Sequence, residues 1–225
     1  MSDSLGPRIK VIEDGPYRVT GPVRLMRMRP IKDEEGDKVE WEQVSDISHE
    51  ETFELCRCGQ SNTMPFCDRT EEKIAFDGAE TADRAPTAER REQYGTGPVV
   101  VVTDDVSLCS SAAFCHRGDT DVWNLAEQTA DPERRALLTE MVFRCPSGRL
   151  VLHRLPEGDP LEPDLAPEIG VLDNGPFWVR GGIPVEAADG FEYEVRNRAT
   201  LCRCGYSSNK PFCDSSHIQA RFRDP

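Results

Sequence analysis

Long apolar runs are absent from this sequence. Nothing approaches the roughly 18 consecutive apolar residues that cross a bilayer, and apolar residues fill only 37% of its 225 positions. A soluble protein without a membrane partner is therefore expected. Positive charge is in short supply, with 27 Lys and Arg against 41 Asp and Glu and a formal net charge of -14. Binding to nucleic acid rests on cations that neutralise phosphates, so a nucleic-acid partner is not expected. A protein partner with a basic docking face suits the charge better. The opening Met1-Ser2-Asp3-Ser4-Leu5 has neither a basic n-region nor an apolar h-region, which makes the cytoplasm the expected location. No Ser-His-Asp set, phosphate-binding glycine loop or nucleotide fingerprint is found, so no enzyme active site is expected.

Histidine is scarce, at four residues, whereas cysteine is plentiful at nine. An odd number of cysteines in a reducing compartment points away from disulfides and toward thiolate ligation of metal. They fall into three sets of three: Cys56, Cys58, Cys67; Cys109, Cys115, Cys145; and Cys202, Cys204, Cys213. The last set reads C-x-C-x8-C-x3-H, ending on His217. Zinc ribbons usually pair cysteines as C-x2-4-C. A single intervening residue in extended chain instead puts both sulfurs on one side, suited to one iron of a cluster, with Cys213 and His217 on the other. His217 follows Cys213 by one helical turn, which Asp214 and Ser215 can cap.

The chain repeats itself. A shift of 146 positions lays the C-terminal loop on Leu55-Cys56-Arg57-Cys58-Gly59, Ser61 and Pro65-Phe66-Cys67-Asp68. Upstream, Asp14-Gly15-Pro16-Tyr17-Arg18-Val19-Thr20-Gly21 resembles Asn174-Gly175-Pro176-Phe177-Trp178-Val179-Arg180-Gly181. Each copy is expected to hold a turn, two strands and a cysteine loop. The first carries about a dozen extra residues around Arg29–Lys38, read as a solvated hairpin loop from which Val39, Trp41 and Val44 resume a strand. Residues 78–97 lack periodicity and read as a linker. Val99–Val102 reads as a buried strand, Pro132 to about Cys145 as a helix, and Leu150–Leu152 as a strand. Modules this small rarely bury enough surface alone, so bound metal would add folding energy.

Cys202-x-Cys204-x8-Cys213-Asp214-Ser215-Ser216-His217, with Arg203, Gly205, Ser207, Pro211 and Phe212, resembles the CDGSH iron-sulfur family, Ser215 standing where the family pentapeptide has Gly. The resemblance implies a [2Fe-2S] cluster held by Cys202, Cys204, Cys213 and His217 in a small β-rich fold. Replacing a thiolate by imidazole raises a cluster's potential, and a histidine ligand keeps a ring nitrogen able to exchange a proton, so sensitivity to acid is expected. The first copy departs from the family at the fourth ligand, because His217 aligns with Glu71. A second [2Fe-2S] cluster on Cys56, Cys58, Cys67 and Glu71 is expected, with Glu72 as a substitute ligand or an empty loop as the alternatives. Carboxylate ligation would lower its potential relative to the C-terminal cluster.

In the middle set, Cys109-x5-Cys115 fits the first and third positions of the C-x2-C-x2-C-x3-C-P ferredoxin run, with Ala112 at the second and Cys145-Pro146 supplying the distant partner. This resembles the divergent single-cluster ferredoxins. Three cysteines imply [3Fe-4S]; a [4Fe-4S] cluster completed by water or His116 is the alternative. His116 is otherwise read as a supporting or surface residue, His49 and His153 as structural, and Phe114, Trp123 and Phe143 as packing around the cluster.

The expected fold is α+β: two β-rich CDGSH-type modules, paired within the chain as a pseudo-dimer, flank a ferredoxin-like module. The boundaries are 1–80 for the first module, 81–97 for a linker, 98–156 for the ferredoxin-like domain and 157–225 for the second module. One-electron transfer between redox partners by a monomer is the expected function. Cluster transfer or redox and pH sensing is the second reading, and a zinc-binding structural adaptor the third.

Overall fold

The computed structural model describes residues 6–156 and 158–224. The opening pentapeptide lies outside them. The first copy builds β1 (Arg8–Val11), β2 (Tyr17–Thr20), β3 (Arg24–Lys32), β4 (Lys38–Asp46) and β5 (Thr52–Leu55). The middle segment builds α1 (Thr87–Arg90), β6 (Glu92–Thr96), β7 (Val100–Asp104), β8 (His116–Arg117), β9 (Thr120–Asp121), α2 (Val122–Glu127), α3 (Pro132–Arg144), β10 (Leu150–Arg154) and β11 (Pro160–Leu161). The second copy builds β12 (Glu168–Leu172), β13 (Phe177–Arg180), β14 (Val185–Glu186), β15 (Arg198–Leu201) and α4 (Ser216–Gln219). The fold is α+β, as expected, with mostly short strands.

Alternation sets the core face of each copy. Ile9 and Val11 of β1 and Tyr17 and Val19 of β2 are fully buried, while the residues between them are not. Each copy then lends a strand to the other. β3 leaves its own sheet and pairs in parallel with β12, Leu25 opposite Ile169, in the order β15-β13-β12-β3-β4. β14 does the reverse, pairing in parallel with β1, Val185 opposite Ile9, in the order β14-β1-β2-β5. The two registers correspond under one constant shift, which defines a pseudo-two-fold axis within the chain. Ile9, Val11, Phe53 and Leu55 from one copy and Ile169, Val171, Val185 and Leu201 from the other share one core.

The extra segment is a pair of nine-residue strands rather than a solvated loop; only the turn around Asp33–Asp37 remains irregular. Its charged, weakly alternating sequence concealed this because much of the ribbon is solvent-exposed. Trp41, on β4, sets its ring 4.7 Å from Phe114 and 5.2 Å from Trp178, and its indole N–H donates to the Arg144 carbonyl at 2.9 Å. Arg144 also pairs with Glu40. The insertion therefore clamps the middle segment. The stretch read as a linker is not structureless either: β6 pairs with β7, at the edge of the antiparallel sheet β6-β7-β10-β11. Helices α2 and α3 pack on that sheet through Leu125, Leu138, Met141 and Val142.

The pseudo-two-fold brings the two C-x-C loops together at their glycines. Gly59 and Gly205 have φ of +76° and +84°, a region costly for residues with a Cβ. A Cβ on Gly59 would stand 2.5 Å from the Cys204 carbonyl oxygen, and one on Gly205 2.6 Å from that of Cys58. Gly59→Ala is expected to cost at least about 1–2 kcal/mol through its backbone alone, with a further loss from the clash. A urea unfolding midpoint equal to that of the unsubstituted protein would contradict this packing.

Candidate metal centres

Each copy holds its cysteine loop by the same backbone bonds. Cys56 N donates to Pro65 O and Cys67 N to Glu54 O, as Cys202 N does to Pro211 O and Cys213 N to Thr200 O, all at 2.8–2.9 Å. Ser61 and Ser207 each donate to a loop carbonyl, Phe66 O and Phe212 O, at 2.7 Å. The arginine between the paired cysteines turns inward. Arg57 Nε donates to Gly15 O at 2.7 Å and Nη2 to Ile12 O at 3.0 Å; Arg203 makes the matching bonds to Gly175 O and Leu172 O at 2.9 Å. The Gly-Pro turns thus serve as acceptors that fix the ligand loops.

The donors come in pairs. Sγ of Cys56 and Cys58 are 3.7 Å apart, and so are those of Cys202 and Cys204. Two sulfurs bound to one tetrahedral ion at about 2.3 Å stand about 3.8 Å apart. Cys213 Sγ lies 3.5 Å from His217 Nδ1, close to the sulfur–nitrogen edge of about 3.5 Å for the same geometry. Cys67 Sγ lies 3.0 and 3.2 Å from the Glu71 carboxylate oxygens. Two donor pairs per loop suit a centre of two metals. Among the described residues, no three Cys, His, Asp or Glu side chains close round a single ion. Glu72 is exposed and faces Arg69, away from the thiols.

In each loop one thiol of the close pair is favoured as the thiolate, while its neighbour, Cys58 or Cys204, is held protonated by the same bond and by burial. The hydrogen bond from Cys58, then the N–H groups of Ser61 and Gly59, pull the Cys56 thiol down to about 6, against burial. Cys204, Ser207 and Gly205 do the same for Cys202, also to about 6. Burial, then the Glu71 carboxylate, pushes the Cys67 thiol up to about 12, and burial raises Cys213. Burial, then Arg203, lowers His217, which favours the neutral imidazole that a metal requires.

The middle set also converges. Burial, then the charges of Cys145 and Cys109, pushes the Cys115 thiol up to about 11. Cys145 lies at the end of α3, with Ser147 Oγ 3.5 Å from its sulfur. Ala112 offers no donor, as its residue type dictates. His116 is exposed, its ring 5.5 Å from Trp123; His153 bonds Thr103 at 2.9 Å, and His49 stacks on Phe53.

Two arginines that sequence reasoning passed over complete this centre. Buried Arg149 forms a two-pronged pair with Asp104, one bond being 2.7 Å, and stands near enough to Cys109 for a thiolate there to favour its charged form. Fully buried Arg198 donates to Val142 O at 2.6 Å, Cys145 O at 2.8 Å and Leu150 O at 3.1 Å, and pairs with Glu162 at 2.7 Å. It caps the carbonyl end of α3 where Cys145 emerges. Both lie in strands or turns of ordinary composition, and only their proximity to a cysteine motif could have marked them. Arg149→Met is expected to cost about 3–5 kcal/mol by stranding Asp104 and to loosen any metal held by Cys109, Cys115 and Cys145 before metal held elsewhere. Equal loss from every cysteine set would contradict the role assigned to Arg149.

Comparison with family models places the description "Iron-binding zinc finger CDGSH type" on residues 14–70 and 174–218, and "Divergent 4Fe-4S mono-cluster" on residues 95–155. Comparison with curated proteins and with solved structures gives no match. The matched segments contain all nine cysteines, and the second CDGSH segment also contains His217. The chain therefore carries two CDGSH-type segments, paired through exchanged strands, on either side of a divergent single-cluster iron-sulfur segment.

Proposed function

We propose that this protein is a one-electron carrier with three iron-sulfur centres and no substrate-converting site. The observation that carries this reading is the adjacency of the three ligand sets. Cys204 and Gly59 abut across the pseudo-two-fold, and Ser215, two residues after Cys213, donates to the Cys109 carbonyl at 2.5 Å. Cys202, Cys204, Cys213 and His217 would hold one [2Fe-2S] cluster, and Cys56, Cys58, Cys67 and Glu71 the other. Cys109, Cys115 and Cys145 can hold [3Fe-4S] outright, or [4Fe-4S] with a non-protein fourth ligand; the family description favours the latter. Bound clusters would supply the redox chemistry. The chain's part is to exclude water, present N–H donors and cations to the sulfurs, and fix the spacing of the centres.

Different ligands should separate the potentials. The Glu71 carboxylate adds negative charge that the neutral His217 ring does not, so the first centre is expected to reduce at the lower potential. The acidic surface suits a reductase or acceptor with a basic docking face, engaged by a monomer whose two copies already pair internally.

Reductive titration of anaerobically purified protein tests this. Three reversible one-electron steps without loss of iron are expected. Release of iron on reduction would favour cluster delivery instead, and a colourless zinc protein would end the proposal. In the same titration, Glu71→His is expected to move the lowest [2Fe-2S] step toward that of the C-terminal centre. An unmoved step would exclude Glu71 as a ligand.

A further inference from the structure

Ser215 departs from the family pentapeptide, and its backbone shows a cost. Its φ is +77°, the left-handed region that disfavours residues other than glycine, asparagine and aspartate. Glycine would occupy this position without strain, so the hydroxyl needs a physical reason. It donates to the Cys109 carbonyl at 2.5 Å and accepts from Ser111 Oγ at 2.8 Å. A second link runs alongside, from Asn209 Nδ2 to Ser107 O at 3.1 Å. The C-terminal ligand loop is thus hydrogen-bonded to the ligand loop of the middle centre. The bonded path from Cys213 to Cys109 crosses one hydrogen bond. Beside these bonds lies a cavity of about 160 Å³ whose lining includes Ser111, Ala112 and His217.

The first copy lacks this device. Arg69 occupies the equivalent position, also left-handed at φ +65°, but its guanidinium turns to Glu54 at 2.8 Å. Among the described residues, no hydrogen bond joins residues 55–72 to residues 98–156. The first centre instead meets the C-terminal one through the Gly59 and Gly205 contacts.

We infer that Ser215 is a positioning residue that couples the middle centre to the C-terminal centre, so that the three centres form a line with the C-terminal one between the other two. This rests on the electron-carrier reading above. One electron lost by the middle centre is gained by the C-terminal centre, or the reverse, and the exchange requires no proton, ligand or further reactant. Ser215 contributes by holding the loops at fixed separation and by supplying the bonded bridge.

Ser215→Gly in the full, cluster-loaded chain tests this. The variant removes backbone strain, so iron content and melting temperature are expected to equal or exceed those of the unsubstituted protein. The magnetic interaction between the middle and C-terminal centres, read by EPR relaxation, should weaken. Electron exchange between them after flash reduction should slow several-fold, and amide exchange at residues 107–111 should quicken. Ser215→Asn, which tolerates this backbone region and retains a polar side chain, should restore part of the coupling. If Ser215→Gly loses iron, Ser111→Gly takes its place; it removes one arm of the bridge and should shift the same readouts less far. Unchanged coupling and exchange in whichever variant holds its clusters would overturn the inference. Absence of exchange in the unsubstituted protein would instead refute the carrier reading on which it rests.

Discussion

Burying negatively charged sulfur is the constraint on which the rest of this structure depends. A thiolate withdrawn from water is costly unless hydrogen bonds and positive charge meet it. The protein carries a formal charge of -14, yet it keeps Arg57, Arg149, Arg198 and Arg203 in its interior. Arg149 pairs with Asp104 beside Cys109, while Arg57 and Arg203 lie between paired cysteines and tie the loops to the Gly-Pro turns. Most other arginines lie at the surface, paired with carboxylates, so these four stand out by their burial. Their bonds to turn carbonyls, to the end of α3 and to Asp104 hold the segments that carry the cysteines.

The same constraint explains why two related modules have diverged. The strands β5 and β15 are equivalent, but β5 exposes Thr52 and half-exposes Glu54 whereas every residue of β15 is buried. Among the described residues, the middle segment hydrogen-bonds the ligand loop of the second copy and meets the first copy through the β3–β4 ribbon. Arg198 caps α3 from β15, Ser215 reaches the Cys109 loop, and Gly148, at φ +64°, lets its turn approach the Arg198 carbonyl. The first copy contributes the β3–β4 ribbon, with Trp41 wedged between Phe114 and Trp178. The repeated pair thus supports the middle cysteine set asymmetrically. The two arginines also differ: Arg203 pairs with Asp224, whereas Arg57 Nη1 has no hydrogen-bond partner among the described residues.

Much of this was legible in the sequence. The cysteine spacings and the constant shift revealed the paired loops, and Pro132 with apolar residues at helical spacing marked α3. Local patterns failed where pairing is remote. The exchange of β3 and β14 leaves no local trace, since parallel partners lie far apart in sequence. β6, whose residues Glu92–Gln93–Tyr94–Gly95–Thr96 are mostly exposed at a sheet edge, lacks the alternation that betrays a strand. The ribbon's strands project into solvent for part of their length and so carry the charge of a loop. Glu71 could be aligned with His217 by counting, but only the fold shows its carboxylate against Cys67 while Glu72 points away. Ser215 looked like a cap, because its real partner comes from a segment about a hundred residues earlier.

The account stands or falls on whether one chain holds three clusters. Iron and acid-labile sulfide per chain, measured on anaerobically purified protein with Mössbauer spectra to separate cluster types, test this most directly. Eight irons per chain are expected with a [4Fe-4S] middle centre, or seven with [3Fe-4S], and two spectroscopically distinct [2Fe-2S] sites. Four irons or fewer, or zinc in their place, would contradict it.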